Sequence, residues 1–354
     1  MSSAPNIAIE FDKEYLDRIF LGYADGKQYI NEFLFPFIEV SSQTGSLPYA
    51  GTLSQEHLRI NLPTEIKGGN SRIERIQYSE SYTTGWSTIA HSIGMDIDPE
   101  TCWKMAPHTV QVQTQNGTNY AAARYQAGFN NATTKFTRML KTNRLTVAEY
   151  AATQLACTAG SYASTNKITL SGTSQWNDPN SDVLGEIKDA KKAVWIYSGT
   201  PANRMVISLN QYFALQVHPQ LVEAKRIAFT GGRSIDFELT LADLSVIFGL
   251  DVRFADAQYE TANHGATSSK SYIWGNFAWV GYVNPNPTKD NPEYSFGFNF
   301  WRTPMGATAR VSMRVTDKDQ HSAFGQTQTI YAEEEYDQMV TSFKAGYLFT
   351  NPIA

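Results

Sequence analysis

Six histidines, two cysteines and a few short acidic clusters are the side chains of this sequence whose types suit catalysis or metal binding. A metal site legible in local sequence needs ligands a few residues apart, as in H-E-x-x-H or paired C-x-x-C. His57, His91, His108, His218, His264 and His321 are scattered singly, and Cys102 and Cys157 belong to no C-x-x-C. Cys157 falls in a helical pattern and reads as a small buried thiol. Asp96 and Asp98, two residues apart in Met95-Asp-Ile-Asp-Pro99, could pair for acid–base work but read better as a solvated loop. Asp317, Asp319 and His321 sit in a charged turn after a strand. Gly231-Gly232 lacks the G-x-G-x-x-G spacing that cradles a pyrophosphate, and neither a Walker A motif nor G-x-S-x-G occurs. A triad assembled over long sequence distances stays open. The residues otherwise offer no catalytic, cofactor or metal site, and the reading is a non-enzyme.

The most informative stretch is structural. From about Asn130 to Thr158, Phe136, Met139, Leu140, Val147, Tyr150, Ala151 and Leu155 recur at helical spacing, with Lys135, Arg138, Lys141 and Arg144 beside or opposite them. The spacing predicts a long beam-like helix with one apolar stripe. Thr146-Val-Ala-Glu149 reads as a capping box, so the stretch is either one long helix or two consecutive segments sharing an axis, with the junction near Asn143–Thr146.

Around the beam the chain changes character repeatedly. Residues 1–55 are extended, with a short helix near Glu14–Phe20 and a dense apolar strip, Phe33-Leu-Phe-Pro-Phe-Ile-Glu-Val40, that has no obvious core of its own. Residues 56–115 alternate polar and apolar residues through Leu58, Ile60, Ile73, Ile76 and Tyr78. The turn signal Lys67-Gly-Gly-Asn70 marks a long antiparallel hairpin. Residues 181–260 alternate helices and strands. One helix carries Val183, Ile187, Ala190 and Val194 and stops at Gly199; another opens at the capping box Thr240-Leu-Ala-Asp243. The last third is mostly β, with an apolar strand over Tyr272–Val283 and a solvated acidic run, Glu333-Glu-Glu335. The fold class is α+β.

Composition narrows the function classes. The 354 residues are 42% hydrophobic but only 18% charged, with 19 Tyr, 19 Phe and 7 Trp. Low charge with many aromatics suits a chain that buries surface against partners. A net charge near −5 without a basic block argues against sequence-specific nucleic-acid binding. The first ten residues show no basic region followed by an apolar core, and no apolar run is long enough to span a bilayer. A cytosolic protein without signal peptide or membrane span is therefore expected.

The order of parts resembles the major capsid proteins of tailed bacteriophages, with their lambdoid-type capsid fold. The strings that carry the resemblance are Phe35-Pro-Phe-Ile-Glu-Val40, Leu145-Thr-Val-Ala-Glu-Tyr-Ala-Ala152, Leu170-Ser-Gly-Thr-Ser-Gln-Trp176 leading to Ser181-Asp-Val-Leu-Gly-Glu-Ile187, Thr200-Pro-Ala-Asn203 before Met205-Val-Ile-Ser208, His218-Pro219, Ile273-Trp-Gly275, Tyr282-Val283 and Gly346-Tyr-Leu-Phe349. Val183 stands where the family often has proline. The resemblance implies four parts: an N-terminal arm (1–55), an extended hairpin loop (56–115), a peripheral domain with a spine helix (116–180 and 286–354) and an α/β axial domain (181–285). It implies self-assembly of hundreds of copies into hexamers and pentamers of an icosahedral shell around double-stranded DNA, with Phe35, Phe37, Ile73, Ile76 and Tyr78 at contacts between subunits. A separate scaffolding protein, a portal protein, assembly in a host cytoplasm and residence in the virion are implied with it. Some relatives crosslink lysine to asparagine; Lys67 reads here as a surface lysine. The rival readings are a cellular nanocompartment shell of the same fold, an α/β enzyme with a dispersed active site, and a β-rich binding module.

Overall fold

Hydrophobic periodicity, helix caps and turn glycines divide the chain much as the sequence suggests. The structure, a computed structural model, describes residues 20, 23, 26–48, 83–107, 120–230, 238–263, 265–288, 294–304, 310–316 and 327–354. Its helices are α1 (Asn31–Leu34), α2 (Pro99–Met105), α3 (Tyr120–Ala156), α4 (Val183–Ser198), α5 (Leu209–Gln216), α6 (Pro219–Thr230) and α7 (Leu241–Phe248). Its strands are β1 (Phe37–Glu39), β2 (Thr44–Pro48), β3 (Thr83–Ser87), β4 (Ile89–Ile97), β5 (Lys167–Thr169), β6 (Arg204–Ser208), β7 (Asp251–Ala255), β8 (Gln258–Glu260), β9 (Lys270–Tyr272), β10 (Phe277–Gly281), β11 (Gly297–Arg302), β12 (Val311–Val315), β13 (Gln328–Val340) and β14 (Gly346–Thr350). The mixed α+β class is as expected. The helix near Glu14–Phe20, the Lys67–Asn70 turn and the Asp317–His321 cluster lie outside the described residues.

The chain forms two units. The first holds Thr88–Val147 and Trp301–Tyr336. Here β13 pairs antiparallel with β4 on one side and β12 on the other. Ile97, Met313, Ile330 and Ala332 meet Phe129, Ala132, Phe136 and Leu140 of α3 in one apolar cluster. Gly128 lets α2 approach α3: a Cβ there would collide with the carbonyl of Cys102.

The second unit holds Lys27–Ser87, Ala148–Phe300 and Asp337–Ala354. Its main sheet has the order β5-β14-β10-β6-β7. The β14–β5 and β6–β7 pairs are parallel, and the two β10 pairs are antiparallel. Alternation along each strand sorts side chains to two cores. Met205, Ile207, Ala278, Val280 and Phe349 face a cluster with Val183, Ile187, Ala190 and Val194 of α4. Val206, Trp279 and Leu348 face a second cluster with Ile30, Phe33, Leu34 and Phe35. A third cluster joins Ile38, Val40, Trp86, Phe298 and Phe300 under the β2–β3 pair.

The helix ends follow their chemistry. Asp182 caps α4 through the Gly185 N–H, and Gly199 closes it in the left-handed region (φ 66°). Thr240 and Asp243 form the expected capping box of α7.

Four expectations are corrected. The beam is one continuous helix of 37 residues, roughly 55 Å long. It starts ten residues earlier than its stripe suggested; of the two forms left open, one long helix or two segments, the single helix is the one formed. Glu333, Glu334 and Glu335 are not a solvated run but lie inside β13. The apolar stretch from Tyr272 to Val283 is not one strand: it is interrupted at Gly275 (φ 69°), with Tyr272 ending β9 and Phe277–Gly281 forming β10. Within 56–115, β3 pairs with β2 and β4 with β13, and Pro99–Met105 is helical. The residues from 56 to 82, with the expected hairpin tip, lie outside the described ones.

Candidate functional site

The side chains that suggested chemistry are engaged in holding the fold. Asp98 accepts from the Thr101 N–H at 2.6 Å as the N-cap of α2, with Pro99 in the first turn. That bond holds its carboxyl below the usual aspartate range. Asp96 accepts from the Thr329 hydroxyl at 2.6 Å across the β4–β13 ladder. The two carboxylates therefore have separate structural duties. Cys102 is buried, and burial pushes its thiol up.

One arrangement looks like a nucleophile and its base. Ser181 Oγ lies 3.0 Å from His218 Nε2, both side chains buried. His218 Nε2 is also 3.1 Å from the Asp178 carbonyl, which accepts from Ser181 Oγ at 2.9 Å. A carbonyl can only accept, so Nε2 must carry the proton. It cannot then take one from Ser181, and the group is a hydrogen-bond knot tying the loop before α4 to the start of α6. Among the described residues no group of His, Cys, Asp or Glu could hold a metal ion, and no helix is long and apolar enough to cross a membrane.

The three glutamates of β13 each find an arginine. Glu333 meets Arg314 of β12 at 3.1 Å, Glu335 meets Arg302 of β11 at 2.7 Å, and Glu334 meets Arg144 of α3. Alternation puts Glu333 and Glu335 on one face and Glu334 on the other. Arg144 and Glu334 are nearly buried, with the guanidinium over the Tyr336 ring. The spine is thus clamped to the sheet of its own unit.

The most heavily tied segment is residues 28–35, a strap across the second unit. The backbone N–H groups of Ile30 and Asn31 donate to Glu149 Oε2 at 2.9 and 2.8 Å. Gln28 N–H donates to Asp256 at 2.8 Å, and the Gln338 amide donates to Asn31 Oδ1. Phe33 lies against two guanidiniums, Arg204 at 4.7 Å and Arg253 at 4.3 Å from its ring centre, and its carbonyl accepts from Arg204 Nη1. Phe35 packs on Phe296 with ring centres 5.7 Å apart, and Gly297 leaves its ring room that a Cβ would fill.

Phe35, expected at a contact between subunits, is instead 0% exposed inside its own chain. The reason is local: Phe35 and Leu34 close α1 against the face of the sheet that presents Trp279. Phe37 is half-buried in β1. Ile73, Ile76 and Tyr78 lie outside the described residues. Large apolar side chains do reach the surface elsewhere, among them Trp195 and Ile196 of α4, Phe213 of α5, Ile227 of α6 and Val246 of α7.

Glu149 is the residue that sequence reasoning misread. Thr146 donates to the Thr142 carbonyl within the helix and caps nothing. Glu149 turns outward from its own helix to cap α1. Its spacing from Ala152 and Ala156, at i+3 and i+7, already put it on a buried face. A carboxyl in that register must find a partner.

Over its whole length the chain is 26% identical to the major capsid protein of Pseudomonas phage JBD67, with all of both proteins aligned over 357 residues. It is 24% identical over 341 residues to the major capsid protein of Burkholderia phage BcepMu, covering 95% of this chain and 94% of the relative. End to end, the chain is thus similar to phage major capsid proteins. No family model matches it. Its fold is that of a phage-related protein of Bordetella bronchiseptica RB50, at TM-score 0.65 with 19% identity and 96% of each chain covered. A candidate prophage capsid protein of E. coli CFT073 shares it at TM-score 0.54 and 12% identity, with 96% and 99% covered.

Proposed function

We propose that this chain is the repeating subunit of a phage head. Copies assemble as hexamers and pentamers into an icosahedral shell enclosing double-stranded DNA, without sequence-specific contacts to it. The observation that carries this reading is the end-to-end relationship to two phage major capsid proteins. Low charge and exposed apolar side chains on several helices of the second unit support it. Repeated heterologous contacts let one chain close a shell.

In this reading residues 1–55 form the arm, 56–115 the extended loop, 116–180 and 286–354 the peripheral domain around α3, and 181–285 the axial domain. Phe37, Ile73, Ile76 and Tyr78 meet neighbouring subunits. Assembly takes place in the host cytoplasm, with a separate scaffolding protein and a portal protein, and the product resides in the virion. The chain performs no catalysis. Electron microscopy of the purified protein tests the reading: closed particles, or rings of five and six, support it, and a field of small asymmetric monomers overturns it.

A further inference from the structure

The strap hangs on one buried acid. Glu149 is 0% exposed, and its Oε2 takes both N–H groups at the start of α1 from a position 118 and 119 residues further along the chain. Its Oε1 is buried without a hydrogen-bond partner. No cation is paired with it among the described residues. The groups around it are of other kinds. Asp256, after β7, holds the Gln28 N–H and adds like charge. Cys157, one helical stretch further on, is a thiol that burial and Glu149 both push up. Gln338 of β13 is a neutral amide on Asn31, and Arg204 and Arg253 of β6 and β7 are turned to the Phe33 ring. Glu32 lies on α1 itself.

We propose that Glu149 is a proton-operated latch: its buried carboxyl keeps residues 28–35 seated on the second unit while protonated, and its ionisation loosens them. A neutral carboxyl still accepts two N–H bonds through one oxygen. An ionised one puts an uncompensated charge in an apolar cluster beside Asp256, with one oxygen unsolvated. Unseating the strap gives that charge back to water.

Burial raises the Glu149 carboxyl to about 8, against the pull of the Asn31 and Ile30 N–H groups. The released carboxyl returns to the ordinary value of 4.5. The seated state therefore binds the extra proton. Its advantage is full below the released value, falls as pH rises between the two, and is gone above about 8. Within that window the seated-to-released ratio changes by up to about tenfold per pH unit.

Hydrogen exchange of the purified protein tests this. Rates are measured between pH 5 and 9 and divided by the intrinsic exchange rate at each pH. Wild-type protection over 28–35 is expected to fall at least tenfold between pH 5 and 8 and then level off, while α4 shows no matching fall. Glu149→Gln, which cannot ionise, is expected to give a flat strap profile. A strap profile that tracks α4, or one that keeps the same fall in Glu149→Gln, overturns the latch. Should that variant misfold, the wild-type profile decides by itself.

Discussion

Arg144 of the spine and Glu334 of β13 form a nearly buried ion pair, with the Tyr336 ring beneath the guanidinium at 5.7 Å. Burial lowers the Arg144 pKa, so the charge is held at a cost. Such a pair adds little over a well-packed apolar pair, but removing one partner strands a buried charge. Glu334→Ala is therefore expected to destabilise the unassembled chain by about 3–5 kcal/mol, read from its urea midpoint. The double variant Arg144→Met, Glu334→Leu should lose less than either single alanine variant. A double variant as weak as the sum of the singles would mean that the pair is not coupled.

Gly128 presents opposing effects of different size. Alanine in a helix interior gains about 1 kcal/mol over glycine. Here its Cβ would meet the Cys102 carbonyl, a backbone atom that cannot swing aside. Overpacking of that kind costs about 1–3 kcal/mol. The clash should win, and Gly128→Ala should lower the thermal midpoint. A raised midpoint would show that α2 can shift freely.

The Ser181–His218 knot is expected to affect stability alone. Ser181→Ala removes hydroxyl bonds to His218 and the Asp178 carbonyl and should cost about 1 kcal/mol. An activated-serine reagent should leave the wild-type chain unlabelled, because Nε2 already carries its proton. Stoichiometric labelling of Ser181 would overturn the tautomer and reopen a catalytic reading.

The sequence made the elements legible where local chemistry and tertiary packing agree. The α4 stripe, the Gly199 stop and the α7 capping box are all in place. It misled where a distant partner overrides local preference. The spine's first ten residues lie ahead of the apolar stripe that begins at Phe136, and Gly128 among them sits where α2 comes against α3. Glu333–Glu335 look solvated until Arg144, Arg302 and Arg314, from three other elements, are brought to them. Glu149 looked like the cap of its own helix because the strap that it holds is more than a hundred residues away. Phe35 looked available to a neighbour because the face that receives it is built from the far end of the chain. In each case the residue type signalled a need, and only the fold named the partner.

The proposed shell function requires copies of this chain to assemble with one another. The direct measurement is the mass distribution of the purified protein at micromolar concentration, by sedimentation velocity with imaging of the fastest species. Discrete five- and six-membered assemblies, or closed particles many times heavier than the 39.5 kDa chain, are expected. A single stable species of 39.5 kDa that does not assemble as concentration rises would contradict it.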